Sequence, residues 1–141
     1  MKNILDVLLL AVLSLTLMSG CEEELSNKEL LTGGLWSFED LSTDSEDQST
    51  QQLVALGKAL LTDATMELST DGTYEIQSPL LNDPQTGSWS LVGDDQLIIT
   101  PDGDVPSTGN IQNLSENRLT YIETMVDQDL GTYTVSTTWL R

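Results

Sequence analysis

The chain has 141 residues, with 23 acidic and 5 basic side chains, a formal net charge of -18, one cysteine and no histidine. The charge argues against nucleic-acid binding, because the neutralisation of phosphates needs basic side chains. The missing histidine excludes Ser-His-Asp and Cys-His catalysis as well as imidazole metal sites. A single cysteine excludes an intramolecular disulfide. The length fits one domain with short appendages.

The first 20 residues have the features of a secretory signal peptide. Lys2 gives a positive start, the stretch from Val7 to Leu17 is almost wholly apolar, and Gly20 directly precedes Cys21. A membrane-spanning helix needs about 20 consecutive apolar residues, and this stretch is shorter. We therefore predict a cleavable signal over residues 1–20.

The residues from Leu17 to Cys21 resemble a bacterial lipobox, the motif in which diacylglycerol is attached to the cysteine before the signal is removed. The resemblance implies a lipoprotein whose acylated Cys21 anchors it to the outer membrane. Each buried CH₂ of an acyl chain contributes about 0.8 kcal/mol, so two or three chains make such an anchor effectively permanent. An ordinary signal peptide followed by a chance cysteine is the alternative.

An acidic run, Glu22, Glu23 and Glu24, follows the cysteine. It resembles the surface-export signal of Bacteroidetes lipoproteins, which implies display on the cell surface. The alternative is a solvated acidic spacer on a protein that faces the periplasm. We predict a lipidated acidic tether over residues 21–32 and a barrel domain over residues 33–141.

From residue 34 onward, strand-length segments alternate with turn residues. Apolar and polar residues alternate within the segments, as in half-buried strands. Asp71-Gly72 lies between two such segments, and Asp-Gly at that place is typical of a hairpin because the turn needs positive φ. Eight strands are predicted, at about residues 35–39, 65–69, 73–77, 88–91, 97–100, 110–114, 119–123 and 132–140.

The segment from Gln51 to Leu61 has a helical period instead. Leu53, Leu56 and Leu60 fall on one face of a helix, with Val54 and Leu61 flanking it, which predicts that this face is packed. Ser49 or Thr50 is the predicted N-cap. Such a helix would cap one end of a barrel or pack on its outer wall.

Sequential short strands at even spacing are typical of an up-and-down barrel or of a sandwich. The hairpin connections favour the barrel, because closure removes the two exposed sheet edges. The predicted fold class is all-β: an eight-stranded antiparallel up-and-down barrel with one short amphipathic helix between strands 1 and 2.

Three segments carry a family resemblance. Gly34-Leu35-Trp36 resembles the Gly-x-Trp of a lipocalin first strand, and the segments 64–74 and 87–91 look like features of the lipocalin-like domains of Bacteroidetes lipoproteins. The resemblance covers residues 30–141 and implies a small calyx-type barrel. Lipocalins pair the first-strand tryptophan with a late arginine, for which Arg118 and Arg141 are the candidates.

One face of each strand carries most of the large apolar side chains, and this face is predicted to point into the barrel. It comprises Trp36, Phe38, Met66, Leu68, Tyr74, Ile76, Trp89, Leu91, Leu97, Ile99, Ile111, Tyr121, Met125, Tyr133, Val135 and Trp139. An eight-stranded barrel is either filled by such side chains or holds one small ligand. The candidate ligand contacts are aromatic side chains: Trp36, Tyr74, Trp89, Tyr121 and Tyr133.

The acidic pairs near Asp94, Asp102 and Asp127 fall where hairpins need turns, and none has the spacing of an EF-hand loop. We predict no catalytic residue, no metal and no cofactor. The leading hypothesis is an anchored lipoprotein that binds a small apolar or amphipathic ligand. The alternative is a non-catalytic surface interaction module with a solid barrel core.

Overall fold

The structure, a computed structural model, describes residues 24–141. The predicted signal peptide, Cys21, Glu22 and Glu23 lie outside the described residues. Glu24 is described and is exposed. Within the described part, no helix combines the length and the apolar character that crossing a membrane requires.

The described residues form two helices and eight strands. In chain order these are α1 (Asn27–Thr32), β1 (Trp36–Thr43), α2 (Gln48–Leu60), β2 (Thr65–Leu68), β3 (Thr73–Gln77), β4 (Gln85–Val92), β5 (Gln96–Pro101), β6 (Ser107–Leu114), β7 (Arg118–Asp127) and β8 (Gly131–Leu140). Each strand pairs antiparallel with the next, and β8 pairs with β1 to close the barrel. The predicted eight-stranded up-and-down barrel, with a helix between its first two strands, is confirmed.

The turn between β2 and β3 shows how local chemistry sets the hairpins. Gly72 has a φ of 87°, a conformation that residues with a side chain rarely adopt. The Asp71 carboxylate accepts hydrogen bonds from the Thr73 amide at 3.0 Å and from the Thr73 hydroxyl at 2.6 Å. The predicted Asp-Gly hairpin is therefore present.

Helix α2 replaces part of the barrel wall. β1 pairs with β2 only at Trp36 and Ser37, but it pairs with β8 as far as Thr43. Alongside the rest of β1, the Lys58 ammonium lies 2.5 Å from the Asp40 carboxylate. The helix thus occupies the side of β1 that a longer β2 would have covered.

The start of α2 differs from the prediction. The N-cap is Asp47, whose carboxylate accepts from the Thr50 amide at 2.9 Å, and not Ser49 or Thr50. An aspartate satisfies the free amides of the first turn and also suits the positive end of the helix dipole.

The packed face of α2 also differs. Leu53, Leu56 and Leu60 are 48%, 58% and 40% exposed, whereas Thr50 and Val54 are buried. The predicted leucine face is therefore wrong, because α2 approaches the barrel through its smaller side chains.

The barrel has two unlike ends. At the closed end, α1 lies beside the turns 69–72, 93–95 and 115–117, and the Asn27 side chain donates to the Asp94 carbonyl at 2.7 Å. The opposite end, here called the mouth, is formed by residues 44–47, 78–84, 102–106 and 127–131.

A tryptophan and an arginine seal the closed end. Trp36 is fully buried, and its indole N–H donates to the Leu31 carbonyl at 2.9 Å. The Arg141 guanidinium lies 4.0 Å from the centre of the Trp36 ring and donates to the Leu30 carbonyl at 2.6 Å. Of the two candidate arginines, Arg141 is therefore the partner of the first-strand tryptophan.

The sixteen side chains predicted to point inward are all buried or partly buried. The most deeply buried large apolar residues lie at the closed end: Leu31, Trp36, Met66, Leu68, Leu97, Leu119 and Trp139. Inward residues nearer the mouth, such as Met125 and Tyr133, are only partly buried. The closed half is a solid apolar core, and the burial of Met125 and Tyr133 is less complete toward the mouth.

Arg141→Ala is expected to lower the free energy of unfolding by about 1 kcal/mol, because it removes a cation–π contact and a hydrogen bond that joins β8 to α1. Urea unfolding measures the change. Arg118→Ala is the control, since the Arg118 side chain forms no hydrogen bond or ion pair within residues 24–141. Equal effects of the two substitutions would contradict the proposed seal.

Candidate functional site

Two strand glycines make room for two tyrosine rings inside the barrel. A Cβ added at Gly109 in β6 would lie 2.5 Å from Tyr121 Cδ2, and one added at Gly87 in β4 would lie 2.8 Å from Tyr74 Cε1. Glycine inside a strand often marks such a close approach. The rings of Tyr74 and Tyr121 therefore lie close to the backbone of neighbouring strands, and at Gly87 an added Cβ would also collide with the Thr100 carbonyl oxygen.

Two buried polar atoms near these rings have no hydrogen-bond partner among the described residues. They are the Tyr74 hydroxyl and the Trp139 indole nitrogen, on side chains that are 3% and 1% exposed. A buried polar group without a partner costs about 1–3 kcal/mol, so such groups usually bind an ordered water or a ligand.

Tyr121 connects these atoms to a carboxylate. Burial raises the pKa of the Tyr121 hydroxyl, and the negative charge of Glu123 raises it further. Polar contacts with Trp139 and Thr137 oppose the rise in this pKa, although the Trp139 indole nitrogen has no hydrogen-bond partner among the described residues. The nearby Tyr74 also raises the pKa of the Tyr121 hydroxyl. The Tyr121 hydroxyl is thus the centre of a polar group inside an otherwise apolar barrel.

Glu123 points into the barrel from β7. It follows Leu119 and Tyr121 at the strand's two-residue period, and it faces Gly109 and Val135 on the adjacent strands. Burial raises the pKa of the Glu123 carboxyl, and a contact with the Ser107 hydroxyl lowers it in part. Within residues 24–141 no Lys or Arg forms an ion pair with this carboxyl.

These side chains form one site, here called the polar chamber. It comprises Tyr74, Ser107, Tyr121, Glu123, Thr137 and Trp139. Its three aromatic side chains belong to the buried core of the barrel. The negative charge of Asp102 at the mouth raises the pKa of the Tyr74 hydroxyl further than burial does alone. The site combines aromatic faces, one carboxyl and several hydrogen-bonding groups, which suits a ligand that has both apolar and polar parts.

Of the five predicted ligand contacts, the structure brings Tyr74 and Tyr121 together. Trp36 lies at the closed end beneath Arg141. Trp89 also lies toward the closed end, where its indole N–H donates to the Ser69 carbonyl at 2.9 Å. Tyr133 is partly buried near the mouth.

A cavity of about 280 Å³ lies at the closed end, outside the polar chamber. It is lined by Lys28, Gly72, Trp89, Ser90 and Leu91. Its walls belong to α1, the β2–β3 turn and β4, so it separates the short helix from the barrel rim.

Sequence reasoning missed Glu123, Ser107, Thr137 and the two strand glycines. The position of Glu123 in the alternation of β7 could have identified it, since it lies two residues from each of the inward residues Tyr121 and Met125. An acidic residue at an inward position is rare unless it is paired or functional. The signal for Gly87 and Gly109 was a glycine within a strand rather than at its end.

The acidic turns are built as turns. The Asp127 carboxylate accepts from the amides of Asp129 and Leu130 at 2.8 and 2.9 Å. Among residues 24–141, no three carboxylate or cysteine side chains lie close enough together to hold a metal ion.

A family model described as a lipocalin-like domain matches residues 31–121. The chain belongs to the lipocalin-like family. The match extends from Leu31 in α1 to Tyr121 in the polar chamber, and β8 with Arg141 completes the barrel beyond it. The lipocalin-like fold fits ligand binding and is typically non-catalytic.

Among solved structures, the chain is similar to a DUF4847 family protein from Bacteroides vulgatus ATCC 8482, with 14% identity and a TM-score of 0.47. The similarity covers 78% of this chain and 95% of that one. No curated protein matches the chain.

Glu123 is expected to make the protein less stable as pH rises. Burial holds the folded-state pKa of Glu123 above its ordinary value of 4.5, so the folded state binds the proton more tightly than the unfolded state does. This stabilisation is complete below the unfolded pKa and is lost as pH rises through the folded pKa. Glu123→Gln cannot ionise, so its stability relative to the wild type should grow between about pH 4 and pH 7.

Urea unfolding of both proteins at the two pH values measures this difference. Asp47 and Asp71 have lowered pKa values, because Thr50 and Thr73 donate hydrogen bonds to them. These two carboxylates therefore make the fold more stable as pH rises, which is opposite to the effect of Glu123. Both proteins contain them, so their contribution cancels in the comparison. A difference that stays constant with pH would contradict the burial of an ionisable carboxyl.

Proposed function

We propose that this lipocalin-like protein is anchored to the outer membrane and binds a small apolar or amphipathic ligand in the polar chamber. One observation carries the binding part of the proposal. The Tyr74 hydroxyl and the Trp139 indole nitrogen are buried without a partner among the described residues, inside a barrel whose family fits ligand binding. A bound molecule with a polar group would satisfy both atoms while its apolar part covers the aromatic rings.

The gradient of burial along the barrel supports the same place for the ligand. Trp36, Met66 and Leu119 fill the closed half, whereas Met125 and Tyr133 near the mouth are partly exposed. A ligand that enters from the mouth would therefore stop above this core, at the level of Tyr121. No catalytic step is proposed.

Tyr74→Phe distinguishes a binding role from a structural one. It removes a hydroxyl that has no partner within the described part of the chain, so the stability of the free protein should stay within about 1 kcal/mol or rise. The affinity for decanol, a neutral amphiphile with one hydroxyl, should fall by about threefold to tenfold because a hydrogen bond is lost. Calorimetric titration and urea unfolding give the two values. A clear loss of stability with unchanged decanol affinity would contradict the proposal.

The anchoring part rests on the lipobox-like segment that ends at Cys21 and on the acidic run of Glu22, Glu23 and Glu24. The acyl chains would hold the protein at the membrane, and the acidic run would direct the domain to the cell surface. A net charge of -18 repels an anionic membrane surface, so the acyl chains would have to hold the domain there alone.

Cys21→Ala should release the protein from the membrane fraction, because no acyl chain can then be attached. Cell fractionation followed by immunoblotting measures the release. Cys21→Ser should have the same effect, and its side chain is closer in shape to cysteine than that of alanine. Retention of both variants in the membrane fraction would show that the protein is held by something other than acylation.

A second candidate function, a surface interaction module, is favoured by exposed apolar side chains near the mouth. Leu53 and Leu56 on α2 and Leu80 in the β3–β4 loop are 48%, 58% and 62% exposed. Exposed apolar groups of this size often mark a contact surface when they are contiguous. This candidate predicts that decanol does not bind the chamber at all.

A further inference from the structure

The mouth of the barrel is strongly acidic. Its four loops hold eight carboxylates and no Lys or Arg: Asp44, Glu46, Asp47, Asp83, Asp102, Asp104, Asp127 and Asp129. The described residues contain four cationic side chains in all. Lys28, Arg118 and Arg141 lie at the closed end, and Lys58 is paired with Asp40.

The closed end is less acidic than the mouth, because its cations partly offset the carboxylates of α1 and the closed-end turns, which are Glu29, Asp71, Asp94, Asp95 and Glu116. A rim lined by one sign of charge raises the local concentration of the opposite sign and speeds its entry. The acidic mouth therefore attracts cations and repels anions such as fatty-acid carboxylates.

The interior continues the same pattern. Glu123 is the chamber's one carboxyl, and within residues 24–141 no cationic side chain pairs with it. Glu123 is partly buried. A carboxylate withdrawn from water without a counter-ion is costly, and a cation brought by a ligand would reduce that cost. Within residues 24–141 the barrel thus supplies the negative member of an ion pair, Glu123, and no side chain supplies the positive member.

The groups around Glu123 suit an organic cation. The rings of Tyr74, Tyr121 and Trp139 line the same chamber, and aromatic faces attract cations through their quadrupoles. The Tyr74 hydroxyl has no partner among the described residues, so it can accept a hydrogen bond from an ammonium group. The apolar side chain of Val135 lies directly across from Glu123 on β8, and Ile76 adds another inward apolar group on β3, so the rest of the ligand would meet apolar side chains.

We propose that the barrel selects amphipathic molecules with a cationic head group, and that Glu123 is the counter-ion of that group. The inference rests on the proposed ligand-binding function and names the chemical class of the ligand. In the complex, the ammonium lies between the Glu123 carboxylate and the aromatic rings, and the apolar tail points toward the wall of the barrel.

Three probes with the same ten-carbon tail test the head group: decylamine, decanol and decanoate. Calorimetric titration of the wild-type protein at neutral pH should give the order decylamine, decanol, decanoate from tightest to weakest. Decylamine should bind at least about tenfold more tightly than decanol, a ratio that corresponds to 1.4 kcal/mol. This arm needs no variant and does not depend on whether a substituted chain folds.

Glu123→Gln tests the counter-ion. It should reduce the ratio of decylamine affinity to decanol affinity by about tenfold, because only the charge is removed. Glu67→Gln is the matched control, since it removes the same charge from an exposed position on β2. It should leave the affinity for decylamine within about twofold.

The outcomes separate the two proposals. If none of the three probes binds the wild-type protein, the proposed ligand-binding function fails. If decanol binds but decylamine has no advantage, only the cationic head group is wrong. Equal losses of decylamine affinity in Glu123→Gln and Glu67→Gln would show that overall charge, and not the chamber, sets the preference, which would overturn the inference.

Discussion

The structure depends on the contact between Trp36, Arg141 and the carbonyls of α1. Trp36 begins the first strand and Arg141 follows the last, so their stacking at 4.0 Å joins the two strands that close the barrel. The hydrogen bonds to Leu30 and Leu31 then hold α1 across that end. The barrel is therefore sealed at one end, and access to its interior is left to the other.

This asymmetry explains the arrangement of the interior. Toward the closed end, large apolar side chains fill the barrel, and the indole N–H groups of Trp36 and Trp89 donate to backbone carbonyls. Gly87 and Gly109 leave room for the rings of Tyr74 and Tyr121. The carboxyl, hydroxyl and indole N–H groups of the polar chamber lie near the Tyr121 hydroxyl. A solid closed end together with a polar chamber can support a ligand and distinguish its head group at the same time. The acidic mouth and the position of Glu123 both favour one sign of charge.

The sequence predicts the strands well because alternation is local: the phase of Tyr74 or Trp139 follows from its own neighbours. The hairpin at Asp71-Gly72 is local in the same way. The face of α2 was predicted wrongly, because the side that a helix buries depends on how closely it approaches β1, which Leu53 and Leu56 do not encode. Of the candidate site, the two tyrosines could be predicted as aromatic inward residues. Glu123 could not be separated by composition from the other acidic residues, since its importance comes from the residues that surround it in the barrel.

A crystal structure of the protein with decylamine tests the central claim most directly, because it shows where the molecule sits and which way it points. We expect the amine nitrogen to lie within hydrogen-bond distance of the Glu123 carboxylate, about 2.7–2.9 Å, with the tail inside the barrel. Electron density for the molecule at the closed-end cavity beside Lys28, or on the exposed leucines of α2 with an unchanged chamber, would contradict it.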